Sequence, residues 1–363
     1  TCLHYQTALS MLHGIGPRKA RDLINKIGSI ELLFTESPSR LFKMTGVKAS
    51  FFSTMKREEA LQTAVKAVEF HLSKNVESLF YTSSKFPRRL SNCSDAPTML
   101  FAKRNIDLNS FKYISIVGTR QATQYGKEIC RRLIESFVGK DIVVLSGLAF
   151  GIDSYVHRYC LEFDVPTIAV LGHGLDRIYP AENRSMAKKM IKKGGLLTEF
   201  LPGTRPEREN FPKRNRIVAG MSDATIVVES KISGGSLITA YLANSYDRDV
   251  FAFPGNINLE TSQGCNALIS QEKAHLIQSP AEFLKLMNWD EDYQAENVQR
   301  TCFPELSATQ DEIVGLIGTE QTVHVDIIST RLRIPISKLN VELFNLQLSG
   351  IISELPGKRY SMV

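Results

Sequence analysis

Residues 211–240 have the sequence FPKRNRIVAGMSDATIVVESKISGGSLITA. The segment 224–228, ATIVV, is almost entirely apolar, as is typical of a strand that is covered on both faces. Small residues follow it at the mouth of the next helix: Gly234, Gly235 and Ser236. This stretch therefore predicts a helix, a buried strand and a second helix in direct succession.

The helix predicted before this strand begins with basic residues around Asn215. They are Lys213, Arg214 and Arg216. Free backbone amides and the helix dipole favour anions at a helix start, and the turn at Gly235 opens the second helix in the same way. We therefore expect two anion-attracting helix starts on either side of one strand.

The same alternation of strands and helices extends outward from this stretch. Apolar segments predict strands at 114–117, 142–145, 167–171, 196–200, 224–228, 250–253 and 275–277. Helices are predicted at 124–137, after Gly151, and at 183–192 and 266–271. Such alternation indicates an α/β fold with a doubly wound, mostly parallel sheet, because parallel strands need crossover connections.

Residues 1–75 are predicted to form a small all-α domain of helix-hairpin-helix or SAM-like type. The segment LHGIGPRKA at 12–20 resembles a helix-hairpin-helix motif, in which glycines allow a tight turn and exposed amides meet a phosphate. A plain turn between two helices is the alternative interpretation. Arg18 and Lys19 are the nearest basic residues.

Three further regions are predicted downstream of residue 75. Residues 76–287 contain the sheet, with a strand-bearing lead-in at 76–110, and the acidic, polar segment 288–306 is typical of a linker. Residues 307–363 contain three helical segments and a hairpin, which resemble a winged helix. The third of these helices, at 336–348, has Lys338 as its one basic residue, so protein contact or a stabilising role is favoured over duplex DNA binding.

The composition permits a polyanionic partner without requiring one. The net charge is +6 at a sequence pI of about 8.9. The six cysteines share no close spacing, which argues against a zinc site or a disulfide framework. We find neither a basic start followed by an apolar run nor a membrane-spanning segment, and therefore expect a soluble cytoplasmic protein without a membrane partner.

Small or glycine residues follow almost every predicted strand. These strand ends are Gly118-Thr119-Arg120, Ser146-Gly147, Gly172-His173-Gly174, Gly234-Gly235-Ser236 and Pro254-Gly255. Ligands of open α/β sheets bind beyond the carboxyl ends of the strands, where such turns offer close backbone approach. Any single glycine is explained by a tight turn, but a row of them beside basic residues favours an extended phosphate backbone over one nucleotide.

The familiar nucleotide and catalytic motifs are absent from the sequence. There is no G-x-G-x-x-G after a strand, no P-loop, no G-x-S-x-G and no H-E-x-x-H. We interpret Asp153 and His157 as a local helix pair, and Glu199 and Glu229 as residues that orient basic neighbours or cap turns. We therefore assign no catalytic residue, cofactor or metal.

Binding of single strands also requires flat side chains on which bases can stack. The candidates near strand ends or helix starts are Phe150, Tyr179, Phe200 and Phe211. Burial is the commoner fate of each, and Phe211, which precedes Pro212, is the candidate that we favour.

The combined motifs resemble the DprA/Smf family of DNA-processing proteins in bacterial natural transformation. They are SIVGTR (115–120), LSGLAFGID (145–153), AVLGHGLDRIYPAEN (169–183), FPKRNRIVAG (211–220), GGSLITA (234–240) and FAFPG (251–255). Their order and spacing match the family over roughly residues 80–280. Two segments depart from it: Gly234-Gly235-Ser236 lacks the first serine of the usual Ser-Gly-Ser, and NALISQEKA near Asn266 is one residue longer.

The resemblance implies an extended Rossmann fold that dimerises and binds single-stranded DNA with little sequence preference. It also implies a recombination mediator, not an enzyme, that loads the RecA recombinase onto incoming strands during competence. The phosphate pocket that it implies contains Gly118, Thr119, Arg120, Ser146, Gly147, Lys213, Arg214, Asn215, Gly235 and Ser236.

Two other functions remain open at this point. A nucleotide-binding or phosphoribohydrolase-like enzyme of related fold would carry a similar Gly-Gly turn, but it needs acidic residues close by, where this chain has Leu237, Ile238 and Thr239. A winged-helix regulator would require sequence-selective duplex binding by residues 307–363.

Overall fold

The computed structural model describes residues 2–12, 14–110, 112–289, 306–320 and 322–363. The predicted linker 288–306 lies almost entirely outside the described residues, and so does His13 of the predicted hairpin. Within the described part of the chain, no helix combines the length and apolarity that crossing a membrane requires.

Among the described residues, six helices precede the first strand. They are α1 (Cys2–Leu9), α2 (Pro17–Ile27), α3 (Ile30–Thr35), α4 (Pro38–Thr45), α5 (Ala49–Ser53) and α6 (Arg57–Ser73). Leu23, Leu33 and Leu41 are fully buried among them, and Phe101 of the sheet joins the same apolar core. The helical region is therefore packed against one face of the sheet.

A nine-stranded sheet forms the centre of the molecule. Its strands are β1 (Glu77–Phe80), β2 (Met99–Arg104), β3 (Lys112–Val117), β4 (Ile142–Ser146), β5 (Thr167–Val170), β6 (Gly195–Thr198), β7 (Ala224–Val227), β8 (Asp249–Ala252) and β9 (His275–Leu276), in the order β1-β2-β6-β5-β4-β3-β7-β8-β9. From β6 to β9 all neighbours are parallel, whereas β1 and β2 add an antiparallel edge. The prediction of a doubly wound, mostly parallel sheet is confirmed.

Helices cover both faces of this sheet. They are α7 (Arg88–Ser91), α8 (Gln124–Ser136), α9 (Ile152–Glu162), α10 (Arg184–Met190), α11 (Asn210–Met221), α12 (Gly235–Ser245), α13 (Glu260–Ser270) and α14 (Pro280–Leu286), with a 3-10 turn at Ala181–Asn183. One apolar core includes side chains of α7, α11, α12 and α13, and another includes those of α8, α9 and α14. The central strands are therefore buried on both sides, which explains why their sequences show apolar runs instead of alternation.

The C-terminal part contains three helices and a small sheet. Its elements are α15 (Ala308–Thr319), β10 (Val323–His324), α16 (Val325–Leu332), α17 (Ile336–Leu348), β11 (Ile352–Leu355) and β12 (Arg359–Met362). The three predicted helices and the hairpin are present, and the short strand β10 pairs with β12 to complete a winged-helix arrangement. The third helix, α17, exposes Val341, Phe344 and Leu348 to solvent.

Polar contacts fix the winged helix to the amino-terminal edge of the large sheet. Arg248, which precedes β8, pairs with Asp326 at 2.9 Å, and both side chains are almost fully buried. Asn92 donates to the other carboxylate oxygen of Asp326 at 2.7 Å. His324 lies 3.4 Å from Asp223, which precedes β7. The C-terminal unit is thus held at the edge opposite to the glycine-rich turns.

Candidate nucleic-acid interface

A cavity of about 430 Å³ lies at the carboxyl edge, where the strand order reverses between β3 and β7. Such a reversal separates the loops of neighbouring strands and creates the usual ligand crevice of an open α/β sheet. We call this the switch-point cavity. It is lined by Val117, Gly118, Thr119, Arg120, Gln121, Ala149, Asp153, Phe211, Arg214, Asn215, Val218, Lys231, Ser233, Gly234, Gly235, Ser236 and Thr239.

Two glycines allow the loops around this cavity to pack closely. A Cβ atom on Gly147 would lie 1.5 Å from a terminal nitrogen of Arg214. A Cβ atom on Gly118 would lie 2.5 Å from Ile152 at the start of α9. Both distances are far below van der Waals contact, so these positions require glycine for packing and do not merely tolerate it.

Arg214 forms the buried floor of the switch-point cavity. Its side chain is 5% exposed, and burial lowers the pKa of the guanidinium while the charge of Asp153 raises it. Burial also raises the pKa of Asp153, whereas the positive charge of Arg214 lowers it. The charge of Arg214 is therefore balanced inside the protein, and its Nε has no hydrogen-bond partner among the described residues.

The predicted pairing of Asp153 with His157 is wrong. Asp153 accepts hydrogen bonds from the backbone amides of Gly147, at 3.0 Å, and Ala149. His157 instead lies 2.8 Å from the hydroxyl of Thr167 through its Nδ1. The two side chains thus form hydrogen bonds to different segments. Asp153 stabilises the loop after β4 and does not form part of a dyad.

Arg216 and Glu199 form an ion pair, as the interpretation of Glu199 as a partner of basic residues requires. Arg216 also donates to the backbone oxygen of Asp95 at 2.5 Å. Lys213 on the same helix is exposed and lies near enough to Glu199 to lower the pKa of that carboxyl, which burial raises overall. Lys213 therefore lies outside the switch-point cavity with its ammonium group available to solvent.

The start of α12 closes the other side of the cavity. Its N-cap residue, Gly234, provides no side-chain cap, so the positive end of the helix dipole is left at the cavity. Asn215 donates to the backbone oxygen of Gly235 at 3.3 Å, which ties α11 to this turn. Ser236 donates to Ser230 at 2.8 Å. The start of α12 therefore adjoins the cavity, as the sequence predicts. The basic residues predicted at the start of α11 lie further along that helix, because α11 begins at Asn210. Arg214 and Asn215 reach the cavity from beyond its first turn.

A narrower cleft continues from the switch-point cavity and shares Arg120 and Phe211 with it. We call it the aromatic cleft; it is lined by Arg120, Gly147, Ala149, Phe150, Gly172, His173, Tyr179 and Phe211. The rings of Phe150 and Tyr179 are each 44% exposed. The Arg120 guanidinium lies 5.4 Å from the centre of the Phe211 ring. One cation, Arg120, therefore lies among three aromatic rings, as suits a surface for stacked bases and phosphates.

Three predicted residues, Ser146, Lys213 and Phe200, line neither the switch-point cavity nor the aromatic cleft. Ser146 is fully buried and donates to the backbone oxygen of Ile116 at 2.7 Å. Its hydroxyl therefore stabilises the end of β3 and is not available to a ligand. Lys213 lies on the exposed surface of α11. Among the predicted residues, Gly118, Thr119, Arg120, Phe211, Arg214, Asn215, Gly235 and Ser236 line the switch-point cavity, and Gly147 lines the aromatic cleft.

Sequence reasoning missed several lining residues, among them Gln121, Lys231 and Ser233. All three lie in the loops after β3 and β7. Their position in the sequence beside the glycine turns could have identified them as lining residues. Lys231 pairs with Glu260 at 2.7 Å on the rim.

The titratable side chains that could act as acid or base near the cavity are already engaged. Glu229 accepts hydrogen bonds from the hydroxyl and the backbone amide of Thr123. His173 contacts the backbone oxygen of Gly174 through Nδ1, and its Nε2 accepts from the backbone amide of Tyr179. These groups stabilise loops, and none of them points free at a ligand.

A second cavity, of about 590 Å³, lies at the opposite edge between β8, α13 and the C-terminal hairpin. Its lining carries three carboxylates (Asp247, Asp249, Glu272) and three cations (Arg248, Lys273, Lys358). Arg248 and Lys358 are paired with Asp326 and Glu354. Because these charges cancel, whereas cations outnumber carboxylates in the switch-point cavity, the carboxyl edge is the better candidate for nucleic acid.

Comparison with known proteins agrees with this geometry. Residues 77–288 match the family model described as DNA recombination-mediator protein A, and residues 303–358 match the DprA winged helix domain. The chain belongs to the DprA/Smf family. The predicted family, the extended Rossmann-like fold and the winged helix are thereby confirmed.

Individual DprA/Smf relatives cover most or part of the chain. Protein Smf of Synechocystis sp. is 30% identical over 98% of both chains. The DNA processing protein DprA of Streptococcus pneumoniae is 40% identical over 59% of this chain and 76% of its own length.

Two solved DprA structures resemble this one. The X-ray structure of DprA from Streptococcus pneumoniae has a TM-score of 0.65 at 32% identity and covers 78% of this chain and 97% of its own. DNA processing protein A from Helicobacter pylori, described for its single-stranded DNA binding mode, has a TM-score of 0.54 at 27% identity over 60% of this chain and 97% of its own.

Proposed function

We propose that this DprA/Smf protein binds single-stranded DNA through its phosphate backbone at the switch-point cavity and the aromatic cleft. The main support is the shared position of Arg120 and Phe211, which places a cation and a ring between the two surfaces. Phosphates interact with Arg120, with the start of α12 and with Lys213 on the rim, while bases stack on the exposed rings. Sequence preference is weak in this proposal because the contacts are made to phosphates and to the faces of the bases, which all sequences share.

Replacement of Arg120 and Lys213 by alanine tests this proposal. Both side chains lie at the surface, so the fold is retained while two phosphate contacts are lost. We expect the affinity for oligothymidylate to fall at least about tenfold and the salt dependence to weaken by roughly 0.7 logarithmic units per lost contact. Fluorescence polarisation over a series of salt concentrations measures both.

The matched control is the double variant Lys140→Ala and Lys285→Ala, which removes the same charge away from the cavity. Equal affinities of the two double variants would contradict the proposal.

The cavity acts as a binding site and not as a catalytic one in this proposal. Asp153, Glu229 and His173 are held by hydrogen bonds to loop atoms, which supports the assignment. Incubation with nucleoside monophosphates, followed by analysis for free base, distinguishes it from a phosphoribohydrolase. Release of base at a rate that depends on Asp153 would favour the enzyme.

The protein functions as a homodimer in the cytoplasm and passes the bound strand to the RecA recombinase. Support for a dimer comes from exposed apolar side chains beside the cavity, on the loops after β7 and β8: Ile232, Ile257 and Leu259. Support for the recombinase comes from the family description as a recombination mediator. Assembly of RecA filaments on DNA that is first bound by this protein tests the second point, and no acceleration over naked DNA would contradict it.

A further inference from the structure

Helix α10 and the turn after it carry a dense positive charge that the cavity and the cleft do not include. Five of the ten residues at 184–193 are basic and none is acidic: Arg184, Lys188, Lys189, Lys192 and Lys193. All five are exposed, whereas Ala187 and Met190 of the same helix are buried against the sheet. The helix therefore separates an apolar inner face from a basic outer one.

Few carboxylates neutralise this basic face. Lys193 pairs with Asp164. Among the described residues, no carboxylate forms an ion pair with Arg184, Lys188, Lys189 or Lys192. Lys103 of β2 adds to the same side, because it is opposite Leu196 of β6, whose side chain packs in the α10 core. The solvated face of a helix usually carries both positive and negative side chains, so the excess of positive charge on this face is unusual.

The start of α10 lies close to the aromatic cleft. Tyr179, an exposed ring of the cleft, precedes the first turn of α10 by a few residues. Asn183 donates to the backbone oxygen of Leu148 at 2.9 Å and to Ser154 at 2.8 Å, which fixes the start of α10 against the loop after β4. From there the helix runs back across the sheet, and β6 begins at Gly195 on the amino-terminal edge. A strand leaving the cleft past Tyr179 passes the exposed Glu182 and then meets Arg184, the first cation of α10.

We propose that the outer face of α10 and the turn after it, with Arg184, Lys188, Lys189 and Lys192, is a second binding segment for the backbone of the same single strand. Arg184 to Lys189 rises about 7.5 Å along the helix at about 1.5 Å per residue, and Lys192 in the turn extends the basic surface further. This length is enough for contact with more than one backbone phosphate. Lysine is suited to this role because a flexible point charge follows a backbone without reading bases. The inference rests on the proposed function of the cavity and extends the footprint of the DNA beyond it.

The test compares a short and a long oligothymidylate on the full chain. Lengths of about four and about sixteen nucleotides bracket the site sizes of single-strand binding modules. In the triple variant Lys188→Ala, Lys189→Ala, Lys192→Ala we expect unchanged affinity for the short oligonucleotide. For the long one we expect a loss of about tenfold to a hundredfold near 0.1 M salt and a salt slope smaller by about 2.

The control removes three lysines elsewhere, with Lys140→Ala at a half-buried position and Lys285→Ala and Lys338→Ala at exposed ones, and is expected to leave both affinities unchanged. Wild-type affinity and slope for the long oligonucleotide in the α10 variant would overturn the inference and leave only a solvated helix face. An equal loss for both lengths would also overturn it, because the lysines would then act on the cavity itself. Failure of the wild-type protein to bind either length would instead reject the proposed function.

Discussion

At the scale of single residues, the site depends on how closely Arg214 approaches Gly147. This contact holds a guanidinium beneath the loop after β4, where Asp153 balances its charge. Neither end of the contact was predictable from spacing, since Arg214 and Gly147 are distant in sequence and the glycine was explained equally well by a turn. Arg214, which the sequence suggests as a cation at the surface, is therefore part of the floor of the switch-point cavity.

The variant Gly147→Ala tests this contact. Its Cβ would overlap the Arg214 guanidinium, so we expect a loss of stability of about 1–3 kcal/mol, as for overpacking of a filled core. Urea denaturation followed by circular dichroism measures it. The control is Gly235→Ala, where a Cβ meets nothing within 4 Å, and the midpoint should be nearly unchanged. Equal midpoints for both variants would show that the loop moves away without cost.

A second residue, His71 of α6, links stability to pH. Its ring lies 4.3 Å from that of Phe101, neither nitrogen has a hydrogen-bond partner among the described residues, and burial lowers its pKa from 6.5 to about 4. The unfolded chain binds this proton below about pH 6.5, whereas the folded chain excludes it until about pH 4. The free energy of unfolding should therefore fall as the pH decreases through this range, by up to about 3 kcal/mol for this group.

Replacement His71→Leu should remove that part of the pH dependence. Denaturation at a series of pH values between 4 and 7 gives the difference from the wild-type protein. His275→Gln, at an exposed position, is the control and should keep the wild-type slope. If the stability of His71→Leu depended on pH in the same way as that of the wild-type protein, His71 would not be the group responsible.

At the scale of elements, apolar runs predicted the parallel strands well because burial on both faces leaves a clear signature in sequence. The antiparallel pairing of β2 with β6 was not predictable, since the partners are far apart and pairing depends on the assembled sheet. The two-residue strand β10 is too short to produce a pattern. The loops after β3 and β7 could be placed at the binding edge, but which of their side chains face the cavity depends on local turns.

The apolar loops after β7 and β8 lead to a prediction about assembly. Ile257 is 77% exposed, so Ile257→Asp does not disturb the core but should weaken a dimer that buries it. We expect the variant to sediment as a monomer at concentrations where the wild-type protein is a dimer. Val138→Asp introduces the same charge at an exposed position at the end of α8 and should leave the dimer intact. Dimers of equal affinity in all three proteins would exclude these loops from the interface.

At the scale of the whole molecule, the winged helix is joined to the sheet by buried charges. Asp326→Ala leaves Arg248 buried without its carboxylate, which costs about 3–5 kcal/mol in comparable cases. We expect faster hydrogen exchange in α16 and a lower denaturation midpoint. The control is Glu320→Ala, which breaks the exposed 2.6 Å pair with Arg331 and should cost less than about 1 kcal/mol. Similar costs would mean that other contacts hold the two parts together.

The position of the winged helix at the amino-terminal edge has a consequence for complex formation. The parallel strands of four to six residues separate that edge from the switch-point cavity by about 13–20 Å, at roughly 3.3 Å per residue. A partner bound to the exposed side chains of α17 and a strand held at the carboxyl edge therefore contact separate surfaces of the protein. Neither has to give up its contacts for the other to bind.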